Sequence, residues 1–309
     1  MAQTQPRAEV VGIDMAQWDL DTTEATVGSA DVTWELDDLD VWGIDAHMEE
    51  LTAISNFDFY RDMTHRTPIH SPPKSPERAE FNNSITHPET SVESLLIDPY
   101  NLNPQPEPGW HFSEPYEFIH LRNMKGSFSH WEEVYAEIYK SLSPGGWVEV
   151  ADWDMGAVPI DHATSDPATF PIPTLRKLYA SMMEASYKSG RPLGLFYMHS
   201  SYLEEAGFTD IQTTHVNVPI GQWADDEEQK RVGKLMLVVL MEGFEASLLR
   251  LLTKFGDRER IWSAEEVRAD IARAQQEVAD WVERSERGEA EGWCASFKWI
   301  TGRKSWHAN

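Results

Sequence analysis

Short apolar runs that end in carboxylates alternate along this chain with stretches of helical period. Residues 8 to 13 (Ala8, Glu9, Val10, Val11, Gly12, Ile13) predict a strand closed by Asp14, and Val32 to Leu36 predicts a second running into Asp37 and Asp38. From Gly43 to Gly109 the pattern dissolves. Nine of the eighteen prolines lie between residues 66 and 109, so this stretch is expected to be extended or disordered, apart from a short helix around Ala46 to Ser55. Order returns at Tyr116, where EFIHLR reads as a buried strand. A helix from about Ser129 to Leu142 follows, with Trp131, Val134, Ile138 and Leu142 on one face. Pro144 with Gly145 or Gly146 stops it, and Trp147 to Trp153 is the next strand.

The second half is helix-rich. Helices are predicted over Pro173 to Ser189, His199 to Ala206, Asp225 to Leu252 and Ser263 to Glu283, the last opened by a capping box of Ser263 and Glu266. Strands are predicted over Phe208 to Val218 and Trp293 to Thr301. Strand, helix and strand joined by short turns predict an α/β fold with a mostly parallel, Rossmann-like sheet. MAQTQPRAEVVGID reads as the tail of a helix, a turn and a strand, whereas a nucleotide-binding domain normally opens with a strand and a glycine-rich turn. The expected sheet is therefore incomplete at its N-terminal strand. The expected organisation is residues 1–42 as the first part of that domain, 43–109 as a proline-rich, largely disordered insertion, and 110–309 as the remainder, with a helical substrate cover at about 172–206 and 225–283.

Composition narrows the function classes. An apolar content of 41%, with 13 Trp and 12 Phe, can fill a sizeable core. Acidic residues outnumber basic ones 52 to 26, and the net charge of −26 argues against direct binding of nucleic acid, which needs a basic footprint. Residues 8 to 60 hold fourteen Asp and Glu and no Lys or Arg, which fits either a solvated acidic surface or a dock for a basic partner. Cys294 is the one cysteine, so no internal disulfide forms, and no secretory signal is visible. The longest purely apolar run, Leu235 to Met241, has seven residues, far from the roughly 20 that span a bilayer. An intracellular protein without a membrane anchor is expected, cytoplasmic or nuclear.

In open α/β sheets ligands sit beyond the carboxyl ends of the strands. Asp14 there reads either as a turn residue or as an acceptor for both hydroxyls of a ribose, a task suited to a group that only accepts. Asp37 and Asp38 read as a turn or cap, or as the acceptor of an adenine amine, with Met15 and Leu39 covering the ring. His120 to Lys125 bring a His, an Arg, an Asn and a Lys to the same rim, His120 being expected to point into the sheet. Asp152 and Asp154 fit a substrate wall or a cap, and Arg191 a helix stop with a surface guanidinium. The eleven histidines are scattered and predict no metal site, and no GxSxG, HExxH, P-loop or GxGxxG motif occurs.

Taken together, EVVGID, WELDD, EFIHLRNMKGSFSHW, SLSPGGWVEV, EEAGFTDIQ with VPIGQW, and MEGFEA resemble the fungal LaeA-like class I S-adenosylmethionine-dependent methyltransferases over residues 1 to 42 and 110 to about 304. The resemblance implies S-adenosyl-L-methionine as cofactor. It implies that Asp14 holds the ribose hydroxyls, Asp38 (or Asp37) the adenine amine and Met15 the adenine face, while Arg122 and Asn123 line the cofactor and substrate side. It also implies a role in fungal secondary metabolism or its regulation, with a small-molecule or protein methyl acceptor and a possible regulatory protein partner. An inactive methyltransferase-fold scaffold is the alternative. Two departures stand out: the family's glycine-rich turn precedes the helix in which this chain begins, and about 67 residues lie where the family has a short link. A transcript with an upstream exon encoding that turn is therefore expected.

Overall fold

The computed structural model describes residues 8–14, 32–43, 109–155 and 172–307. Met15, the expected helix near residues 46–55 and nearly all of the proline-rich segment lie outside the described residues.

Strands β1 (Val10–Asp14) and β2 (Val32–Leu36) pair in parallel, Val10 opposite Val32 through to Asp14 opposite Leu36. Gly12 faces Trp34, and a Cβ at Gly12 would come within 2.7 Å of the indole, so the glycine is what lets that ring lie across the pair. A second sheet has the order β3-β4-β6-β5, built from β3 (Tyr116–Arg122), β4 (Leu142–Asp154), β5 (Thr209–Ile220) and β6 (Trp293–Arg303). Here β3 and β4 are parallel, while β6 runs antiparallel to both neighbours. The sheet is thus mixed where the sequence pattern suggests mostly parallel strands. The reason lies in the connection. Between β5 and β6 the chain forms two long helices, α4 (Glu227–Lys254) and α5 (Ala264–Glu286), which pack on each other and return it to the end that β5 left, with Ile220 opposite Trp293.

The two faces of this sheet feed two cores. Leu121, Val148, Val150 and Ile300 point one way and pack under α1 (Trp131–Ser141), a 3-10 turn (Leu195–Met198) and the short α3 (Ser200–Glu205), against Trp131, Val134, Ile138, Tyr197 and Leu203. On the other face Trp153, Val218, Ala295 and Phe297 pack against the helical core of α2 (Pro173–Lys188), α4 and α5, which holds Leu178, Leu240, Phe244, Val267, Val278 and Trp281. The helices follow the expected spans within a few residues, and α5 carries the Ser263–Glu266 capping box. Ser263 and Glu266 each satisfy an amide that the first helical turn leaves unpaired.

Between α1 and β4 the SPGG turn does more than end a helix. Leu142 already pairs with Tyr116, and the register then shifts before Phe118 meets Trp147. Gly145 takes φ +79°, donates its N–H to the Lys304 carbonyl at 3.0 Å and lies beneath Trp306, where a Cβ would be 2.6 Å from the ring. The Lys304 ammonium donates to the Leu142 carbonyl at 2.7 Å, covering the open end of α1. Burial lowers that lysine's pKa.

Candidate functional site

Because β1 and β2 are parallel neighbours, both carboxyl ends emerge on one edge. Asp14 closes β1 opposite Leu36, and Asp37 and Asp38 follow at once. The side chains of Asp37 and Asp38 are exposed, and Asp38 Oδ1 accepts the Asp40 N–H at 3.0 Å, an aspartate turn that holds the carboxylate at the strand end. Only the backbone of Asp14 is described.

Asp40 is the buried member of this acidic run. Its Oδ2 lies 2.5 Å from an Arg191 Nη2, and its Oδ1 accepts from Ser129 Oγ at 3.3 Å. Ser129 also donates to the Gly43 carbonyl. Trp110 Nε1 donates to the Leu39 carbonyl at 2.9 Å, and the Trp110 ring sits 6.4 Å from Trp42. The loop after β2 is therefore clamped to the loop between β3 and α1 and to the turn that follows α2.

At the carboxyl end of β3, Arg122 is exposed and Asn123 takes φ +57° while its N–H donates to the Ala151 carbonyl at 3.0 Å. Asparagine accepts that left-handed conformation better than most side chains. Next in the turn, the Lys125 N–H donates to Asp152 Oδ2 at 3.1 Å, and its ammonium donates to the Trp153 carbonyl over the indole face, 4.5 Å from the ring centre. Asp152 is buried and also accepts from the Tyr197 hydroxyl at 2.6 Å and from the Trp153 N–H at 2.7 Å. Tyr197 in turn stacks on Trp131 with centroids 3.8 Å apart, and burial with the Asp152 charge pushes its phenol far above the ordinary tyrosine value. Asp154 accepts from the Tyr179 hydroxyl at 2.6 Å and from the Met155 N–H at 2.7 Å. Burial and then the Asp154 charge raise Tyr179 likewise. Chemically, the first edge offers acceptors for hydroxyls and amines, and the second offers a turn whose shape is fixed by Asp152.

A family model described as a methyltransferase domain matches residues 43–219. The chain belongs to that family. Among curated relatives, the secondary metabolism regulator LAE1 of Cochliobolus heterostrophus is 32% identical over 179 residues, covering 53% of this chain and 57% of that protein. Methyltransferase pytC of Aspergillus terreus is 32% identical over 161 residues, covering 52% of this chain and 47% of that protein. The regulator laeA of Aspergillus fumigatus is 27% identical over 171 residues, covering 53% and 42%. The chain thus matches about half the length of these curated relatives. A solved phosphoethanolamine N-methyltransferase from Haemonchus contortus, with S-adenosylhomocysteine, matches 63% of this chain and 35% of its own at 13% identity and a TM-score of 0.31.

Within this methyltransferase-family chain the expected site residues fall into two groups. Asp14, Asp37 and Asp38 share the β1–β2 edge, and Arg122 and Asn123 share the β3–β4 edge; among the described residues no hydrogen bond or ion pair joins the two sets directly. The link runs through Asp40 and Ser129. Two readings of single residues change. His120 lies on the exposed side of β3, with Nδ1 3.0 Å from Glu149 Oε1, because Ile119 and Leu121 take the inward positions on either side of it. Arg191 is the ion-pair partner of a buried aspartate rather than a bare surface guanidinium. Asp152, left open by the sequence between a substrate wall and a cap, accepts from the Lys125 and Trp153 amides and the Tyr197 hydroxyl. Asp40 and Tyr197 were legible only as a third acid after a strand and an aromatic before a cap, since their partners lie 151 and 45 residues away in sequence.

Proposed function

We propose that this chain is an S-adenosylmethionine-dependent methyltransferase tied to fungal secondary metabolism or its regulation, acting on a small-molecule or protein acceptor. The observation that carries the reading is the parallel register that sets Asp14 beside Asp37 and Asp38 at one sheet edge, in a chain of the methyltransferase domain family. The donor set fits an adenosyl group: carboxylates only accept, and adenosine presents two ribose hydroxyls and one exocyclic amine. Asp14 takes the hydroxyls, Asp38 takes the amine with its turn geometry already set by Asp40, and Met15 covers the ring. When bound, the cofactor supplies a methyl on a sulfonium, which needs alignment with a nucleophile more than a dedicated base. Arg122 and Asn123 line the acceptor side, and Asp152 with Lys125 and Tyr197 keeps that turn in place. Asp154 and Asp152 are both engaged by tyrosine hydroxyls, so neither is assigned to proton transfer.

A second reading, a non-catalytic regulatory protein that keeps the fold, draws support from relatives named as regulators of secondary metabolism. Calorimetry with S-adenosylmethionine separates the two. The transferase reading expects saturable heat with micromolar affinity, weakened about tenfold by Asp38→Ala through the lost charge-assisted bond. An absence of binding heat sides with the scaffold, and undiminished affinity in Asp38→Ala removes that residue from the site.

A further inference from the structure

Helix α4 buries one face, and between Val232 and Val239 its exposed side is apolar too, apart from Lys234. Gly233, Met236, Leu240, Phe244, Leu248 and Leu252 turn inward, while Val232, Leu235, Val238 and Val239 are 46%, 60%, 44% and 54% exposed. Val232, Leu235 and Val239 stand at spacings of three and four, with Val238 beside them, so the four form one stripe about two turns long. A helix segment apolar on its exposed side as well as its buried one is unusual for a solvated surface. The stripe also has polarity. Arg231 lies four residues before Leu235 and Glu242 four residues after Val238; both are exposed and neither makes an ion pair among the described residues.

We infer that the outer face of α4 is a homodimer interface in which two copies of this helix pack antiparallel about a two-fold axis between Leu235 and Val238. In that arrangement Leu235 rests on the partner's Val238, and Arg231 meets the partner's Glu242. A parallel arrangement would set Arg231 on Arg231 and Glu242 on Glu242, so the flanking charges select the antiparallel one. Size agrees. The four exposed side chains offer on the order of 350 Å² of apolar surface per copy, most of the roughly 450 Å² found in one side of a standard interface of about 800 Å² per partner. Each copy carries a net charge of −26. Screening over a Debye length of about 8 Å at physiological salt confines that repulsion, so the dimer is expected to tighten between low and physiological ionic strength.

Sedimentation velocity of the 309-residue chain from about 1 to about 100 µM tests this. The expected result is a concentration-dependent monomer–dimer equilibrium that Leu235→Glu abolishes. Arg231→Glu and Glu242→Arg should each weaken the dimer about tenfold, and the two together should restore it to within about threefold. Circular dichroism checks that Leu235→Glu keeps its helices; if it does not, the charge-reversal pair decides. A chain that stays monomeric throughout, even one that binds some other protein, overturns the proposal. So does a dimer indifferent to Leu235→Glu while folded, or a double reversal that fails to recover what the single ones lose.

Discussion

The two sheets are written in nearly the same letters and sit in opposite environments. VVGID and VTWEL are as apolar as the buried run within WVEVADW, yet Val148 and Val150 of β4 are fully buried whereas Trp34 of β2 is 56% exposed and no described side chain of β1 or β2 is buried. The difference lies in neighbours. β4 has a hydrogen-bonded strand on each side and helices against both faces, while among the described residues β1 and β2 pair only with each other. A parallel pair of five-residue strands gains little stability alone, because parallel sheets depend on cover on both faces. The strands that present the proposed adenosine acceptors thus contribute no buried side chain among the described residues, whereas β4, beside the acceptor rim, is buried along much of its length. Affinity for the cofactor should therefore include the cost of ordering β1 and β2, and the rim should be set beforehand.

Substitutions that attack one sheet and spare the other break this contrast if it is wrong. The largest effect is expected for Trp131→Ala, which empties a buried site stacked on Tyr197 and should cost about 3–5 kcal/mol in urea unfolding. Trp34→Ala should cost less than about 1 kcal/mol, and a comparable loss there would mean that β2 is packed after all. Next comes Asp152→Ala. It leaves the Tyr197 hydroxyl and the Lys125 amide without their acceptor and should cost about 2–3 kcal/mol, with Asp152→Asn recovering part of that since an amide oxygen still accepts. Arg191→Ala strips the partner from the buried Asp40 and should cost about 2 kcal/mol; Arg191→Ala with Asp40→Asn should be milder than the single change, because the uncompensated charge is gone.

The smallest expected effect concerns pH. Burial alone would raise the Asp257 carboxyl, but the Arg260 and Glu259 amides, the Trp262 indole N–H and the Ser181 hydroxyl donate to it and hold its pKa below the ordinary value. A group lowered by folding stabilises the folded state above its unfolded pKa, and that contribution fades as pH falls through the folded value. Asp257→Asn should accordingly flatten the acid limb of the stability curve beneath the carboxylate range and leave neutral stability less dependent on further acidification. An unchanged acid limb would show that these four donors do not favour the ionised form.

The helical half was the more legible part of the chain because its signals are local. Ser263 with Glu266 marks the start of α5 three residues apart, and Gly190 and Gly207 close α2 and α3 with positive φ. The mixed sheet was less legible, since the direction of β6 is set by a two-helix return and not by its own residues. In the site, the carboxylates after β1 and β2 follow from strand ends alone. What holds them does not: Asp40 and Arg191 meet across 151 residues, and nothing in DLD or GRP announces the pair. The misreading of His120 had a local remedy, because strand alternation with Ile119 and Leu121 inward already turns the residue between them outward.

Hydrogen exchange of the β1 and β2 amides, with and without S-adenosylmethionine, tests the central claim most directly. The account expects Val10–Asp14 and Val32–Leu36 to exchange quickly in the free chain and to gain protection on cofactor addition, while Val148 and Val150 stay protected throughout. Binding that protects other segments and leaves β1 and β2 unchanged would contradict it.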